Sequence, residues 1–151
     1  KALHQLMRGT RWVAEGETSL DVLVVDTPPG TGDIHMTLAQ SYPLHSVILV
    51  TTGHPLALLD AGKALTMYRT LGVPVLGVVE NMSWYRTSQG IVHYFWGKEG
   101  DTAAWARAHE LALLGSIPME QSLGVMTELD DVMAVQQCAV RIRDAIDRHP
   151  S

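Results

Sequence analysis

The sequence holds a single cysteine, Cys138, in 151 residues. One cysteine closes no intrachain disulfide and by itself ligates neither zinc nor an iron–sulfur cluster. Long hydrophobic runs are missing too. No segment reaches the ~18 consecutive apolar residues of a membrane helix. The longest mostly apolar stretch, Leu71 to Val79, is interrupted by glycine and proline and ends at Glu80. The N-terminal stretch KALHQLMRGTRW lacks the apolar core of a secretory signal. It begins with Lys1 rather than Met, which leads us to expect a fragment or a processed product. The seven histidines are scattered, none at HxxxH spacing, and read as ordinary surface or partly buried residues rather than a metal cluster. Positive charge is also scarce: Lys and Arg number 11 against 16 Asp and Glu, a net charge of −5. That balance argues against binding nucleic acid or an anionic membrane through net charge, although a local basic patch stays open.

What is present is a core. Hydrophobic residues make up 46% and charged residues 18%, which excludes a disordered chain. The length suits one ordinary domain, able to bury roughly two-thirds of its unfolded surface. Four short runs rich in Val, Ile and Leu punctuate it: Asp21–Asp26, Ser46–Thr51, Pro74–Glu80 and Leu111–Ile117. Each is nearly continuous rather than alternating, which predicts strands covered on both faces, as in a parallel sheet. Helical stretches lie between them, at Ile34–Ser41, Leu56–Leu71 and Glu99–Glu110. A long amphipathic helix over Asp131–Arg148 closes the chain, with Val132, Val135, Ala139, Ile142 and Ile146 on one stripe. Strands alternating with helices imply βαβ units and right-handed crossovers. The irregular stretch Ser83–Gly97 carries most of the aromatic residues.

Ligands of open parallel sheets bind beyond the carboxyl ends of the strands. The first end delivers Asp26, either a carboxylate for a Mg²⁺–water shell or a strand-terminating turn cap. Pro28 and Pro29 stiffen the loop after it, and Gly30 and Gly32 let the backbone come close to phosphate oxygens. Asp33 reads as the N-cap of the next helix. The second end, Thr51-Thr52, either binds an anion or caps a helix. Asp60 and Lys63 have the spacing of a solvated helix pair. At the third end Asn81 is either a carboxamide for a purine edge or a turn residue. At the fourth, Pro118 bends the chain.

The blocks DVLVVDTPPGTGD, VILVTT, Asp60-Ala-Gly-Lys63, PVLGVVENMS and LLGSIPM, in that order from about Leu6 to Glu120, resemble the Mrp-type ATPases. These are P-loop proteins of the MinD/ParA group that carry or assemble iron–sulfur clusters. The resemblance implies an α/β fold with a three-layer, doubly wound, mostly parallel sheet, of which residues 1–151 are the C-terminal part and which lacks its N-terminal P-loop strand. It implies ATP and Mg²⁺ as cofactors. Asp26 matches the aspartate that holds the Mg²⁺ shell, and Gly30 the switch glycine whose amide faces the γ-phosphate. Asp60 matches a helix acid that answers the P-loop's signature lysine. Asn81 matches the residue that reads adenine, and Pro118 and Met119 the loop that packs on that base. Implied partners are a second copy or a related ATPase in a dimer, and iron–sulfur client proteins, with neither nucleic acid nor membrane. The expected compartment is the cytoplasm, with the mitochondrial matrix as the alternative.

Two family features are missing. The lysine-bearing Gly-rich loop, GKGGVGKS/T, has no counterpart, since neither Gly-Lys-Ser nor Gly-Lys-Thr occurs. Triphosphate binding needs such backbone amides and a lysine, so this chain alone is expected to bind ATP weakly or not at all. The family's Cys-Pro-x-Cys pair would fall near Thr87 and Gly90, and neither is Cys, so bridging a cluster in the family manner is not expected. Cys138 lies far along the chain and reads as a small half-buried apolar residue. The expected function is that of an ATP-hydrolysing iron–sulfur carrier or assembly factor, seen in its C-terminal part. The alternative is a divergent, non-catalytic partner or regulatory module, in which Trp84, Tyr85, Tyr94, Phe95 and Trp96 form a dimer contact or simply pack on the core. A membrane-targeted positioning ATPase fits least, because the C-terminal helix mixes acidic with basic residues where a membrane helix is basic on its polar face.

Overall fold

The computed structural model describes residues 2–13, 16, 19–119 and 133–148. Three parallel strands form its centre: β1 (Val47–Thr51), β2 (Val75–Glu80) and β5 (Leu113–Ser116), in the order β1-β2-β5. Helix α3 (Pro55–Thr70) connects β1 to β2, and α4 (Asp101–Ala108) precedes β5. Between β2 and α4 lies a small antiparallel hairpin of β3 (Tyr85–Arg86) and β4 (Val92–His93). Helices α1 (Ala2–Gly9), α2 (Asp33–Ser41) and α5 (Met133–Arg148) complete the described elements.

The sheet is covered on both faces, which is why its strands read as continuous apolar runs. Leu49, Val78, Leu65 and Ala106 pack on the face under α3 and α4, with Trp105 beside them. Leu76, Val79 and Leu114 pack on the other face against Cys138 and Ala145 of α5. The result is the three-layer parallel α/β arrangement expected from the sequence. Helix α3 forms because Leu58, Ala61, Leu65 and Tyr68 recur on one buried stripe and Pro55 opens it at the first turn. On α5 the packed face is Cys138, Ile142, Ala145 and Ile146. Ala139, expected on that stripe, faces solvent instead, and Val132 lies outside the described residues.

The Asp21–Asp26 run departs from expectation. It joins no strand ladder among the described residues, and Val24 is 86% exposed. An apolar strand needs a neighbour to satisfy its backbone, and β1, the nearest edge in sequence, has only β2 beside it. Two caps also differ. Gly32 occupies the cap position of α2, so Asp33 lies inside the first turn, where its negative charge is favourable at the positive end of the helix dipole. His54, not Thr51 or Thr52, caps α3, its Nδ1 accepting from the Leu56 amide at 3.2 Å.

Candidate functional site at the carboxyl edge of the sheet

The three parallel strands end together at Thr51, Glu80 and Ser116. Beyond them the chains leaving β2 and β5 remain stitched. The Ile117 amide donates to Glu80 O (2.8 Å), Ser83 N to Ile117 O (2.9 Å) and Met119 N to Trp84 O (2.7 Å). Asn81 N donates to Thr51 O at 2.7 Å, which ties the same segment back to β1. Asn81 and Pro118-Met119, far apart in sequence, thus lie on adjoining strand extensions, with Pro118 buried and Asn81 exposed.

The Asn81 carboxamide is half committed. Its Oδ1 accepts from the Met82 amide at 2.9 Å, in a turn that holds Met82 at φ 53°. An amide oxygen has two lone pairs, so Oδ1 keeps one acceptor position and Nδ2 its two donors.

Glu80 is the residue that strand-end reasoning missed. Its carboxylate accepts from Thr102 Oγ1 (2.7 Å) and from Ser116 Oγ (3.0 Å), one on α4 and the other at the end of β5. It locks the edge from which the segments carrying Asn81 and Pro118 leave the sheet. The available signal was a lone acid ending a fully apolar central strand, since such a carboxylate must find donors. The neighbouring Tyr94 phenol is pushed up, first by desolvation and then by the carboxylates of Glu99 and Glu80. It stays a proton donor.

The other expected residues lie apart from this cluster. Asp60 is on the exposed side of α3, paired with Lys63 at 2.8 Å, both side chains more than 60% exposed. Such a pair contributes at most about 1 kcal/mol. Asp26 and Gly30 are exposed on the loop before α2. Gly30 has φ +93°, and a Cβ there would meet nothing within 4 Å, so its backbone is open to an approaching ligand.

The hairpin spans Thr87 and Gly90, the positions where the resemblance would place a cysteine pair. Thr87 and Gly90 are its turn: Thr87 N donates to Ile91 O and Gly90 N to Thr87 O, both at 2.9 Å. Arg86 lies 5.3 Å from the Trp84 ring centre, and His93 stacks on Phe95. Cys138 is buried between α5 and β5, where a Cβ on Gly115 would come within 2.9 Å of its Sγ. Burial pushes its thiol up, against the opposing charge of Arg141, which disfavours the thiolate a metal needs. Among the described residues no three His, Cys, Asp or Glu side chains gather as a metal site, and no helix is long and apolar enough to cross a membrane.

The family model described as ParA, NUBPL iron-transfer P-loop NTPase, matches residues 1–148. The chain belongs to this family. It is 37% identical over 135 residues to an iron-sulfur cluster carrier protein of Aquifex aeolicus, covering 89% of this chain and 36% of that protein. To the iron-sulfur cluster carrier protein of Escherichia coli K12 it is 42% identical over 123 residues, covering 82% of this chain and 32% of the relative. Among solved structures it resembles a nucleotide-binding protein from Archaeoglobus fulgidus in complex with ADP. That match has a TM-score of 0.55 at 27% identity and covers 82% of this chain and 45% of the other. The chain thus spans about a third of the length of these carrier proteins.

Proposed function

We propose that this chain is the base-reading and switch-bearing part of an ATPase that carries or assembles iron–sulfur clusters. The rest of the polypeptide would supply the lysine-bearing Gly-rich loop. The observation that carries the reading is the stitched edge, which sets Asn81 beside Pro118 and Met119 although Pro118 lies 37 positions after Asn81. The residues fit a nucleotide at both ends. Asn81 offers amide donors for a base, the half-buried Met119 backed by the buried Pro118 an apolar seat for it, and Asp26 an exposed carboxylate for Mg²⁺. Gly30 offers an accessible backbone for phosphate oxygens, and bound Mg²⁺ would neutralise phosphate charge. Asp60 would leave its surface pair with Lys63 to meet the lysine of the supplied loop. The cytoplasm is the compartment this reading takes, and the mitochondrial matrix its alternative.

The test is nucleotide binding by the longer polypeptide that contains this chain. Asn81→Ala is expected to weaken ATP by roughly fivefold, the worth of one hydrogen bond at about 1 kcal/mol, and to narrow the preference for ATP over GTP. A polypeptide whose remaining sequence has no lysine-bearing Gly-rich loop, or that binds no nucleotide, sinks the reading.

The cluster itself is cargo, and here the residues do not fit. With Thr87 and Gly90 in a hydrogen-bonded turn and Cys138 buried, this hairpin supplies no thiolate pair. That observation favours a second reading, a divergent subunit that pairs with a cysteine-bearing ATPase or with a second copy through its aromatic hairpin. Phe95 and Trp96 are exposed, which suits such a contact. Trp84→Ala with Trp96→Ala is expected to shift the longer polypeptide from dimer to monomer in sedimentation. An unchanged oligomeric state removes the contact.

A further inference from the structure

His35 reads from the sequence as an unremarkable helix histidine, yet it is only 5% exposed and both of its ring nitrogens are engaged. Nε2 lies 3.0 Å from the Pro28 carbonyl oxygen and Nδ1 lies 2.9 Å from the Tyr68 hydroxyl. A carbonyl only accepts, so Nε2 carries the proton. In the neutral ring Nδ1 is then the acceptor, and the Tyr68 O–H donates to it. Every polar atom of the pair is satisfied in this one neutral tautomer.

The three residues come from three different pieces of chain. Pro28 belongs to the exposed loop between Asp26 and Gly30, His35 to the short helix α2, and Tyr68 to the buried stripe of α3. Tyr68 is the fixed member. It is 6% exposed, burial pushes its phenol up so that it remains a donor, and its carbonyl accepts from Val73 N at 2.9 Å just before β2. Helix α2 buries only His35 and Leu38. The loop, two prolines followed by a glycine at positive φ, is hydrogen-bonded at its Pro28 carbonyl to this buried histidine.

We propose that His35, oriented by Tyr68, is a positioning residue that clamps the Pro28 carbonyl and so sets the Asp26–Gly30 loop for its phosphate and metal contacts. This rests on the nucleotide reading above. A loop that moves to meet a phosphate oxygen must carry His35 with it or break the bond to Pro28, which couples the loop's place to α3. His35 itself touches neither nucleotide nor metal.

The test uses the longer polypeptide with His35→Ala, His35→Gln and Tyr68→Phe. Glutamine can donate to Pro28 through Nε2 and accept from Tyr68 through Oε1, so it should rescue. ATP turnover is expected to fall roughly 10- to 100-fold in His35→Ala, with kcat changing more than KM, and to return to within about threefold in His35→Gln. Tyr68→Phe should lie between them. Amide exchange at Gly30 to Asp33 should quicken at least about tenfold in His35→Ala and recover in His35→Gln, while β2 amides stay unchanged. Loop exchange unaltered in His35→Ala, or β2 exchange rising equally, overturns the clamp. Unchanged turnover in His35→Ala, in a polypeptide that hydrolyses ATP, overturns the positioning role. If the unsubstituted polypeptide hydrolyses no ATP while loop exchange follows the stated pattern, the clamp stands and the nucleotide reading falls.

Discussion

Gly77→Ala should cost the protein about 2 kcal/mol, a large share of the stability of an ordinary domain, for the addition of one methyl group. Gly77 sits in β2, the central strand, facing β5. A Cβ built there collides with the Ala112 carbonyl oxygen and comes within 2.8 Å of Leu114 Cγ. Neither neighbour can retreat cheaply. The Ala112 oxygen accepts from Val78 N at 2.9 Å, so moving it breaks a ladder bond, and Leu114 is 3% exposed in the core under α5. Replacing glycine also removes backbone freedom from the unfolded chain, a gain of about 0.4–1 kcal/mol. Overpacking costs about 1–3 kcal/mol, and with backbone as the obstacle the upper part of that range applies and the loss wins. Gly62→Ala on α3 is the control. Its nearest foreign atom would be Trp105 Cζ2 at 3.9 Å, an ordinary contact, so helix propensity should make it neutral or stabilising by up to about 1 kcal/mol. Urea unfolding of the three proteins reads the difference. A Gly77→Ala midpoint equal to that of the unsubstituted chain would show that β5 sits farther from β2 than described.

The contrast between these glycines shows what the sequence discloses. Val75–Glu80 is legible as a strand because its residues are apolar on both faces, and Leu58, Ala61, Leu65 and Tyr68 are legible as a helix stripe by their spacing. Asn81 and Pro118-Met119 are legible as strand-end residues, at the edge where ligands of open parallel sheets gather. Which strand lies beside which is a different kind of information. The spacing inside Asp21–Asp26 says strand, but pairing requires a strand brought alongside, and the run lies beside none of the described strands. The two-residue strands of the hairpin are too short to carry a period, and α1 is a single short amphipathic segment with little core beneath it. Glu80 and His35 were hidden for a related reason. A carboxylate at a strand end and a histidine on a helix look solvated until Thr102, Ser116, Tyr68 and Pro28 arrive from elsewhere in the chain. In His35 the local clue was its spacing of three from Leu38, which puts both on one face of α2.

Val24→Asp should be nearly silent in the 151-residue chain alone and severe in the longer polypeptide. Val24 is 86% exposed, Val22 53%, and Val50 at the open side of β1 65%. Burying a valine side chain is worth about 1.5–3 kcal/mol, so an apolar run and an open strand edge left bare together forgo a large stabilisation. The carrier proteins of Aquifex aeolicus and Escherichia coli are about three times as long as the matched region, ample length for a further strand between this run and β1. If that strand comes from the rest of the polypeptide, Val24 becomes interior, and an aspartate there is a buried carboxylate without a cation to answer it. The expected cost is roughly 3–5 kcal/mol in the longer polypeptide. In the chain alone the same carboxylate stays in water, and the change should remain within about 0.5 kcal/mol. Comparing denaturant midpoints of both forms, each with and without the substitution, isolates the covering strand from any intrinsic effect of aspartate. Equal costs in the two forms would mean that Val24 stays in water in both and that the sheet is completed elsewhere than at the open side of β1.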